Sequence, residues 1–161
     1  MDAYDTLLFL HLLAAFMMIG GALAYHILQF ALLRRDRPSE VAALFGAGRL
    51  FVLLIQVGAV AVLIFGIWLA YVSTPEYGIT DEWVIASIAL WVVANALGFY
   101  GGHLYAKAAQ LAGRLDAEGA DAPSAELRAM IRSPLAALTT WGSTVLIVAI
   151  LVLMIWKPGA L

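Results

Sequence analysis

Four long apolar stretches constrain this chain more than any other feature of its sequence. They lie near residues 6–33, 49–73, 83–111 and 135–156. A helix that crosses the hydrocarbon core of a bilayer needs roughly 20 mostly apolar residues, and it satisfies its own backbone hydrogen bonds. The chain is 64% hydrophobic and only 12% charged, whereas a soluble domain averages about 25% charged residues. We therefore predict an all-α, polytopic membrane protein whose residues 1–161 form a single bundle of four transmembrane helices.

The positions of the basic side chains predict the direction of the helices. Eight of the nine Lys and Arg residues flank the first and third connections, and these eight are Arg34, Arg35, Arg37, Arg49, Lys107, Arg114, Arg128 and Arg132. By the positive-inside rule these two connections are cytoplasmic, so both termini are expected outside, in the plasma (inner) membrane of a bacterium. Aromatic residues at the opposite ends of the spans predict an outer aromatic belt of Tyr4, Tyr71, Tyr77, Trp83 and Trp156.

Several kinds of functional site are disfavoured by what the sequence omits. The chain has no cysteine, so thiolate metal ligands, thiol nucleophiles and disulfides are excluded. The predicted spans contain no Asp or Glu, which removes the carboxylate that a zinc site or a hydrolytic triad would use. Phosphate-binding glycine loops and nucleic-acid-binding patches are absent as well. We therefore expect no nucleic-acid partner, and a binding role is favoured over an enzymatic one.

The two basic connections each contain a pattern that is typical of a helix start. In "RPSEVAALF" and "APSAELRAMIR", Pro and Ser precede an early glutamate, Glu40 or Glu126, so both segments are predicted to form short surface helices. In the second segment Leu127, Met130 and Ile131 lie at helical spacing. This apolar side is expected either to rest on anionic headgroups or to pack against the bundle.

The first span has one polar face. At 100° per residue, His11 and His26 lie on the same side of the helix, and the other members of this side are Ala15, Met18, Ala22, Tyr25 and Gln29. The opposite side is expected to contact lipid and consists of Phe9, Phe16, Leu23, Ile27 and Phe30. Because polar side chains within spans usually face the bundle interior or a water-filled cavity, both histidines are predicted to point inward.

Small residues and hydroxyls in the other spans predict helix packing. The third span carries a stripe at four-residue intervals, namely Ala94, Gly98, Gly102 and Ala106. Such a stripe lets a neighbouring helix approach closely. Two further pairs of small residues are expected to act in the same way, Gly20 with Ala24 in the first span and Gly58 with Gly66 in the second. Hydroxyls in the fourth span are expected to donate hydrogen bonds to carbonyl oxygens one turn back; these are Thr139, Thr140, Ser143 and Thr144.

Several polar side chains are predicted to share one depth in the cytoplasmic half of the bundle. Counting about 1.5 Å per residue from the arginines places at this depth Tyr25, His26, Gln29, Gln56, Tyr100 and His103. Two neutral imidazoles on facing helices are what a six-coordinate haem b requires. His26 and His103 are therefore candidate haem ligands, and the other four are candidates to surround the group. The alternative is that each histidine makes an ordinary hydrogen bond between helices.

Two short segments carry a family resemblance. The start "LLFLHLLAAFMMIGGAL", in which Gly21 follows His11 by ten residues, and the end "LVLMIWKPG" resemble a bacterial group of small predicted integral membrane proteins of unknown function. The spacing from histidine to glycine is also similar to that of CopD-type copper-resistance domains and HemJ-type protoporphyrinogen oxidases. In HemJ-type proteins the histidine of the first helix is a haem ligand, so the resemblance implies this role for His11.

The HemJ-type pattern is followed only in part. In those proteins the glycine is followed by a Leu-Pro-Arg segment, whereas this chain continues as "GGALAYHILQF", and no predicted span has a lysine at its centre. The resemblance therefore does not extend to porphyrinogen oxidation.

These observations lead to two main functional hypotheses. The first is a redox-linked role in which the protein binds haem or porphyrin, with either His11 or the pair His26 and His103 as ligands. The second is a non-enzymatic accessory or scaffold subunit, whose small-residue stripes pack against a second copy of the chain or a larger membrane complex. A small transporter component is a further alternative with less support, because neither a buried charge nor a pair of broken helices is predicted.

Overall fold

The computed structural model describes residues 3–72, 77–120 and 122–158, and these residues are helical with no strand. The five helices are α1 (Ala3–Leu32), α2 (Pro38–Val72), α3 (Glu82–Ala117), α4 (Ala125–Ile131) and α5 (Pro134–Trp156). Four segments are long and apolar enough to cross a membrane, namely α1, α2, α3 and the segment Ala125–Trp156 that holds α4 and α5. The predicted all-α, four-span architecture is confirmed. Residue 73, the predicted end of the second span, lies outside the described residues.

Of the two predicted surface helices, only the second forms a separate helix. The segment "RPSEVAALF" forms the first turns of α2 and is not a separate helix, because Pro38 begins the helix with a preset φ angle and no residue before Arg49 interrupts it. The segment "APSAELRAMIR" does contain the separate helix α4. Ser124 caps this helix, and its hydroxyl oxygen accepts a hydrogen bond from the backbone N–H of Leu127 at 3.3 Å.

Helix α4 packs on the bundle at the end that carries the eight Lys and Arg residues, which we call the basic end. Leu127 is 2% exposed and Ile131 is 5% exposed. They belong to a buried cluster whose other members are Leu32, Val41, Ala108, Leu111 and Ala112. Of the two alternatives for the apolar side of α4, the structure therefore has the one in which it packs against the bundle.

Helices α1 and α2 approach each other closely through glycines. A Cβ atom at Gly58 would lie 2.6 Å from the backbone nitrogen of Met18 and 2.8 Å from the carbonyl oxygen of Ala14. A Cβ atom at Gly21 would lie 3.1 Å from the carbonyl oxygen of Phe51. A side chain at Gly58 would collide with the backbone of the other helix, and one at Gly21 would make an unusually tight contact with it. The expected packing role of Gly58 is confirmed, whereas that of Gly20 is wrong, because a Cβ atom at Gly20 would meet no atom within 4 Å.

Helices α3 and α5 form the second close pair, but only part of the predicted stripe lies between them. Gly98 faces Ser143, and a Cβ atom at Gly101 would lie 2.6 Å from Oγ1 of Thr139. Gly102, in contrast, has no atom within 4 Å of an added Cβ, and Ala106 is exposed. Each four-residue step turns a helix by about 400°, so a strict four-residue stripe drifts by about 40° per step and leaves the interface.

The bundle therefore consists of two helix pairs, α1 with α2 and α3 with α5. Contacts between α2 and α3 join the pairs along one side. On the other side α1 and α5 do not pack closely against each other. Side chains alone bridge this gap, which we call the seam.

Replacement of Gly58 by Ala is expected to destabilise the protein by about 1–3 kcal/mol, the usual cost of overpacking. The clash involves backbone atoms of Met18 and Ala14, so no rotation of a side chain can relieve it. The free energy of unfolding, measured by denaturant titration in detergent micelles with circular dichroism, tests this expectation.

Gly20→Ala is the matched control, because an added Cβ at Gly20 meets no atom within 4 Å. Alanine is also a better helix former than glycine by up to about 1 kcal/mol. Equal stability of the two variants would contradict close packing at Gly58.

Candidate functional site

The polar face of α1 points into the bundle, as the sequence predicts. His26 and Gln29 are 5% and 7% exposed, whereas Phe16 and Ile27 on the opposite side are 74% and 70% exposed. The other residues expected to contact lipid are exposed as well, namely Phe9, Leu23 and Phe30. The polar groups of α1 are thus available for contacts within the protein.

His26 bridges the seam between α1 and α5. Its Nδ1 lies 2.9 Å from Oε1 of Gln29, and its Nε2 lies 2.7 Å from Oγ1 of Thr144 on α5. The imidazole is stacked on the ring of Trp141, with centroids 4.0 Å apart and an interplanar angle of 16°. Gln29 adds a longer hydrogen bond of 3.4 Å from Nε2 to Oγ1 of Thr140.

These contacts determine which ring nitrogen of His26 carries the proton. A carbonyl oxygen only accepts, so Nδ1–H donates to Oε1 of Gln29. In the neutral ring Nε2 then accepts from the hydroxyl of Thr144. That hydroxyl also lies 3.2 Å from the carbonyl oxygen of Thr140, a longer contact than the one to His26. Both nitrogens of His26 are therefore engaged within the protein.

The hydroxyls of α5 behave largely as predicted. Thr139 donates to the carbonyl oxygen of Leu135 at 2.9 Å, and Thr140 donates to that of Ala136 at 2.9 Å. Because Thr140 donates backwards along its own helix, its oxygen remains able to accept from Gln29. This arrangement presents acceptors to α1 without leaving a buried proton unpaired.

Apart from Gln29, the other members of the predicted polar cluster do not make a hydrogen bond to His26. His103 is exposed, and two residues along a helix is a rotation of 200°, which places it opposite the buried Gly101 and Tyr105. Tyr100 and Gln56 are exposed too. Tyr25 does turn inward, and its ring meets that of Tyr105 edge-on at a centroid distance of 6.3 Å.

A six-coordinate haem does not fit this arrangement. Its two axial imidazoles would have to face one cavity, but His26 uses both ring nitrogens internally and His103 lies on the outer side of α3. His11 and His26 are 15 residues apart, or about 22 Å along the axis of α1, and they line different cavities. Among the described residues, no two histidines are paired across a cavity.

His11 lies in a separate pocket near the end of the bundle that is opposite the basic end, which we call the terminal pocket. Its Nδ1 is 3.0 Å from the carbonyl oxygen of Val62 on α2. Because a carbonyl only accepts, Nδ1–H donates and the neutral ring keeps an unprotonated Nε2. No hydrogen bond to Nε2 occurs within the described part of the chain. His11 thus presents a free acceptor.

Gly66 makes room for this imidazole. A Cβ atom at Gly66 would lie 2.9 Å from Cε1 and 3.2 Å from Nδ1 of His11. The glycine sits one helical turn after Val62, so the same stretch of α2 supplies both the acceptor and the space. The local sequence of α2 therefore fixes the orientation of the ring.

The wall of the terminal pocket is apolar except for a few side chains of α1 and α3 and the ring of Tyr77. On α3, Ser87 donates to the carbonyl oxygen of Trp83 at 2.7 Å, and Trp91 donates from Nε1 to the carbonyl oxygen of Ala59 at 3.1 Å. Trp83 is different. Its side chain is buried, and its Nε1–H has no hydrogen-bond partner among the described residues.

Lys157 contacts two aromatic side chains that line the terminal pocket. This residue ends α5 in a left-handed conformation with a φ angle of 40°. Its ammonium lies 4.6 Å from the ring centroid of Tyr77 and 5.7 Å from that of Trp83. Such distances are typical of cation–π contacts, so the end of α5 is held against the start of α3.

Sequence reasoning missed Trp83 as a site residue, since it placed this residue in an aromatic belt at the membrane interface. The structure buries it at 4% exposure. The helical spacing of Trp83, Ser87 and Trp91 on one face of α3, which leads on to the buried Ala94, is the signal that predicts an inward direction. Tyr71 and Trp156, by comparison, are exposed as a belt requires.

The bridge across the seam is expected to appear as an energetic coupling between His26→Ala and Thr144→Val. Hydrogen bonds between helices in membranes average about 0.6 kcal/mol and reach about 1.7 kcal/mol in double-mutant cycles. Unfolding free energies of the two single variants and the double variant in micelles give this coupling. His103→Ala is the control and is expected to change stability by less than about 0.5 kcal/mol, as surface substitutions do. Strict additivity of His26→Ala and Thr144→Val would contradict the bridge.

The comparisons with known proteins agree with this architecture. The sequence matches the model of a family described as "Predicted integral membrane protein (DUF2269)" over residues 5–158, which include α2 to α5 and nearly all of α1. No curated protein and no solved structure matches the chain. The family description names an integral membrane protein, which would sit in a lipid bilayer, and the structure has four helical segments long and apolar enough to span it. The chain belongs to this family of predicted integral membrane proteins of unknown function.

Proposed function

We propose that this protein is a non-enzymatic membrane protein that binds a small lipid-soluble ligand in the terminal pocket. The observation that carries the proposal is the buried Nε1–H of Trp83, which has no partner among the described residues. It lies in the wall of a pocket that also contains His11. A donor without a partner and an acceptor without a partner in one apolar pocket favour a ligand that supplies both complements.

The energetic argument starts from Trp83. Leaving a buried donor unsatisfied costs about 1–3 kcal/mol, and membrane interiors offer no bulk water to reduce that cost. Trp91 in the same wall avoids the cost by donating to Ala59. A ligand oxygen that accepts a hydrogen bond from Trp83 removes this cost. The removal of the cost contributes to the free energy of binding.

The second polar group sets the chemistry of the ligand. Unprotonated Nε2 of His11 accepts a hydrogen bond, so it favours a ligand that carries an O–H or N–H group. A hydroxyl is the smallest group that accepts from one partner and donates to another. We therefore infer an amphiphile with a hydroxyl-bearing head and an otherwise apolar body.

The size of the pocket supports a small head group. Its volume is about 80 Å³, and it is partly open to the outside of the bundle. A bound water needs at least about 10–15 Å³ measured in the same way, so the enclosed part accommodates a group of a few heavy atoms. A porphyrin ring does not fit there. The apolar tail of the ligand would extend through the open side into the bilayer.

The proposal also includes an orientation of the protein in the membrane. Eight of nine Lys and Arg residues lie at the basic end, which the positive-inside rule favours as the cytoplasmic end of a bacterial plasma-membrane protein. The terminal pocket then lies in the outer half of the membrane. A ligand would reach it from the outer leaflet.

Titration of ¹⁵N-labelled protein in nanodiscs with 1-dodecanol tests the proposal. We expect the indole N–H resonance of Trp83, assigned with Trp83→Phe, to move as the hydroxyl occupies the pocket. Trp91 is the internal control, since its N–H already donates to Ala59. His11→Phe keeps the ring and removes its nitrogens, and it is expected to weaken dodecanol binding several-fold, the loss of one net hydrogen bond. His103→Phe is the matched control.

n-Dodecane distinguishes head-group recognition from filling of the pocket by the chain. It has the same carbon chain without a hydroxyl, so it is expected to leave the Trp83 resonance in place. An equal shift with both compounds, or no shift with dodecanol, would reject the proposal.

The haem hypothesis has its own test. Because the histidines do not form an axial pair, detergent-purified protein expressed with ample haem supply is expected to lack the sharp α band of a six-coordinate b haem in a dithionite-reduced difference spectrum. A strong α band that disappears in His26→Ala or His103→Ala would contradict this expectation. The substituted histidine would then again be a candidate haem ligand.

A further inference from the structure

We propose that a groove at the basic end of the seam binds the headgroup of an anionic phospholipid. The groove has a volume of about 180 Å³ and lies between the end of α1 and the start of α5. His26 and Gln29 form its floor, and Arg132 lies at its rim. We call it the Arg132 groove. It is separate from the terminal pocket and does not depend on the function proposed for that pocket.

The charge of the groove is not neutralised by the protein. Three other arginines at this end are paired with carboxylates: Arg35 with Glu40 at 3.6 Å, Arg128 with Asp36 at 2.7 Å, and Arg114 with Glu118 at 3.9 Å. Arg132 makes no such ion pair with any described carboxylate. An anion in the groove therefore has a guanidinium available for a two-pronged phosphate contact.

The start of α5 adds to this positive potential. The helix has 23 residues and begins directly after Arg132, with Ser133 as its N-cap. The N-terminus of a helix carries a partial positive charge that favours an anion nearby. Arg132 and the N-cap Ser133 both line the groove.

The walls of the groove fit the acyl part of a lipid. Phe30 on α1 is 56% exposed, and Leu33 and Trp141 are 42% and 43% exposed. These exposed apolar surfaces line the groove, and we take them as the channel that an acyl chain would follow. His26 and Gln29 in the floor already have partners and present no unpaired group to an acyl chain. A cation at the interface above an apolar channel matches a phospholipid better than free phosphate.

The anionic headgroup distinguishes this proposal from ordinary lipid contact. Juxtamembrane arginines gain about 1 kcal/mol each from anionic lipid, which corresponds to about fivefold in affinity. We expect native mass spectrometry of the full-length protein to retain phosphatidylglycerol about fivefold more strongly than phosphatidylcholine when both are supplied in mixed micelles.

Two matched variants test the position of the site. Arg132→Gln is expected to abolish the preference for phosphatidylglycerol, whereas Arg114→Gln removes the same charge from the same end and is expected to leave the preference unchanged. Both side chains are exposed, so both variants are expected to fold, and their unfolding midpoints in micelles check this. Equal losses in the two variants would mean that the overall charge of the basic end selects the lipid, which overturns the proposal.

Two further outcomes would also overturn it. The first is a wild-type protein that retains phosphatidylglycerol and phosphatidylcholine equally. The second is complete displacement of bound phosphatidylglycerol by millimolar inorganic phosphate, since the acyl channel would then contribute nothing. Persistence of the Arg132-dependent preference in the presence of phosphate supports a phospholipid site.

Discussion

The absence of water in the hydrocarbon core governs how this bundle uses its polar side chains. A polar group inside the membrane must find its partner within the protein, because lipid offers none. Most groups do: His26 is bonded on both ring nitrogens, and the hydroxyls of Thr139 and Thr140 bond back along α5. Against this background Trp83 stands out, because its indole N–H is buried without a partner among the described residues.

The same constraint explains why one histidine is structural and another is a site candidate. His26 faces α5 at hydroxyls that can both accept and donate, so its imidazole is fully used in joining the two helix pairs. His11 faces the backbone of α2, where Val62 offers only an acceptor. One nitrogen of His11 is thus satisfied and the other is left for whatever enters the terminal pocket. The partner opposite each imidazole, more than its depth, decides its role.

Much of the fold could be predicted from the sequence, whereas the site could not. Span length and the apolar outer face of α1 are set by the local pattern, and the structure confirms both. The direction of His103 depends on the phase of α3 against α5, and that phase is fixed by Gly98 and Gly101 and not by the four-residue stripe that continues to Gly102. The prediction that Trp83 belongs to an interface belt was wrong for another reason. An aromatic residue near the end of a span suits an interface belt and a buried wall equally well, and only the neighbouring helices decide between them.

The contact of Lys157 with Tyr77 and Trp83 gives the terminal pocket a link to the aqueous phase. The ammonium is held by the negative faces of these two rings, and one of them, Trp83, lines the pocket and carries a buried N–H without a partner among the described residues. Lys157 is the only cation at this end of the bundle among the described residues. The positive charge at this end therefore lies against the aromatic wall of a cavity that has no charged group of its own.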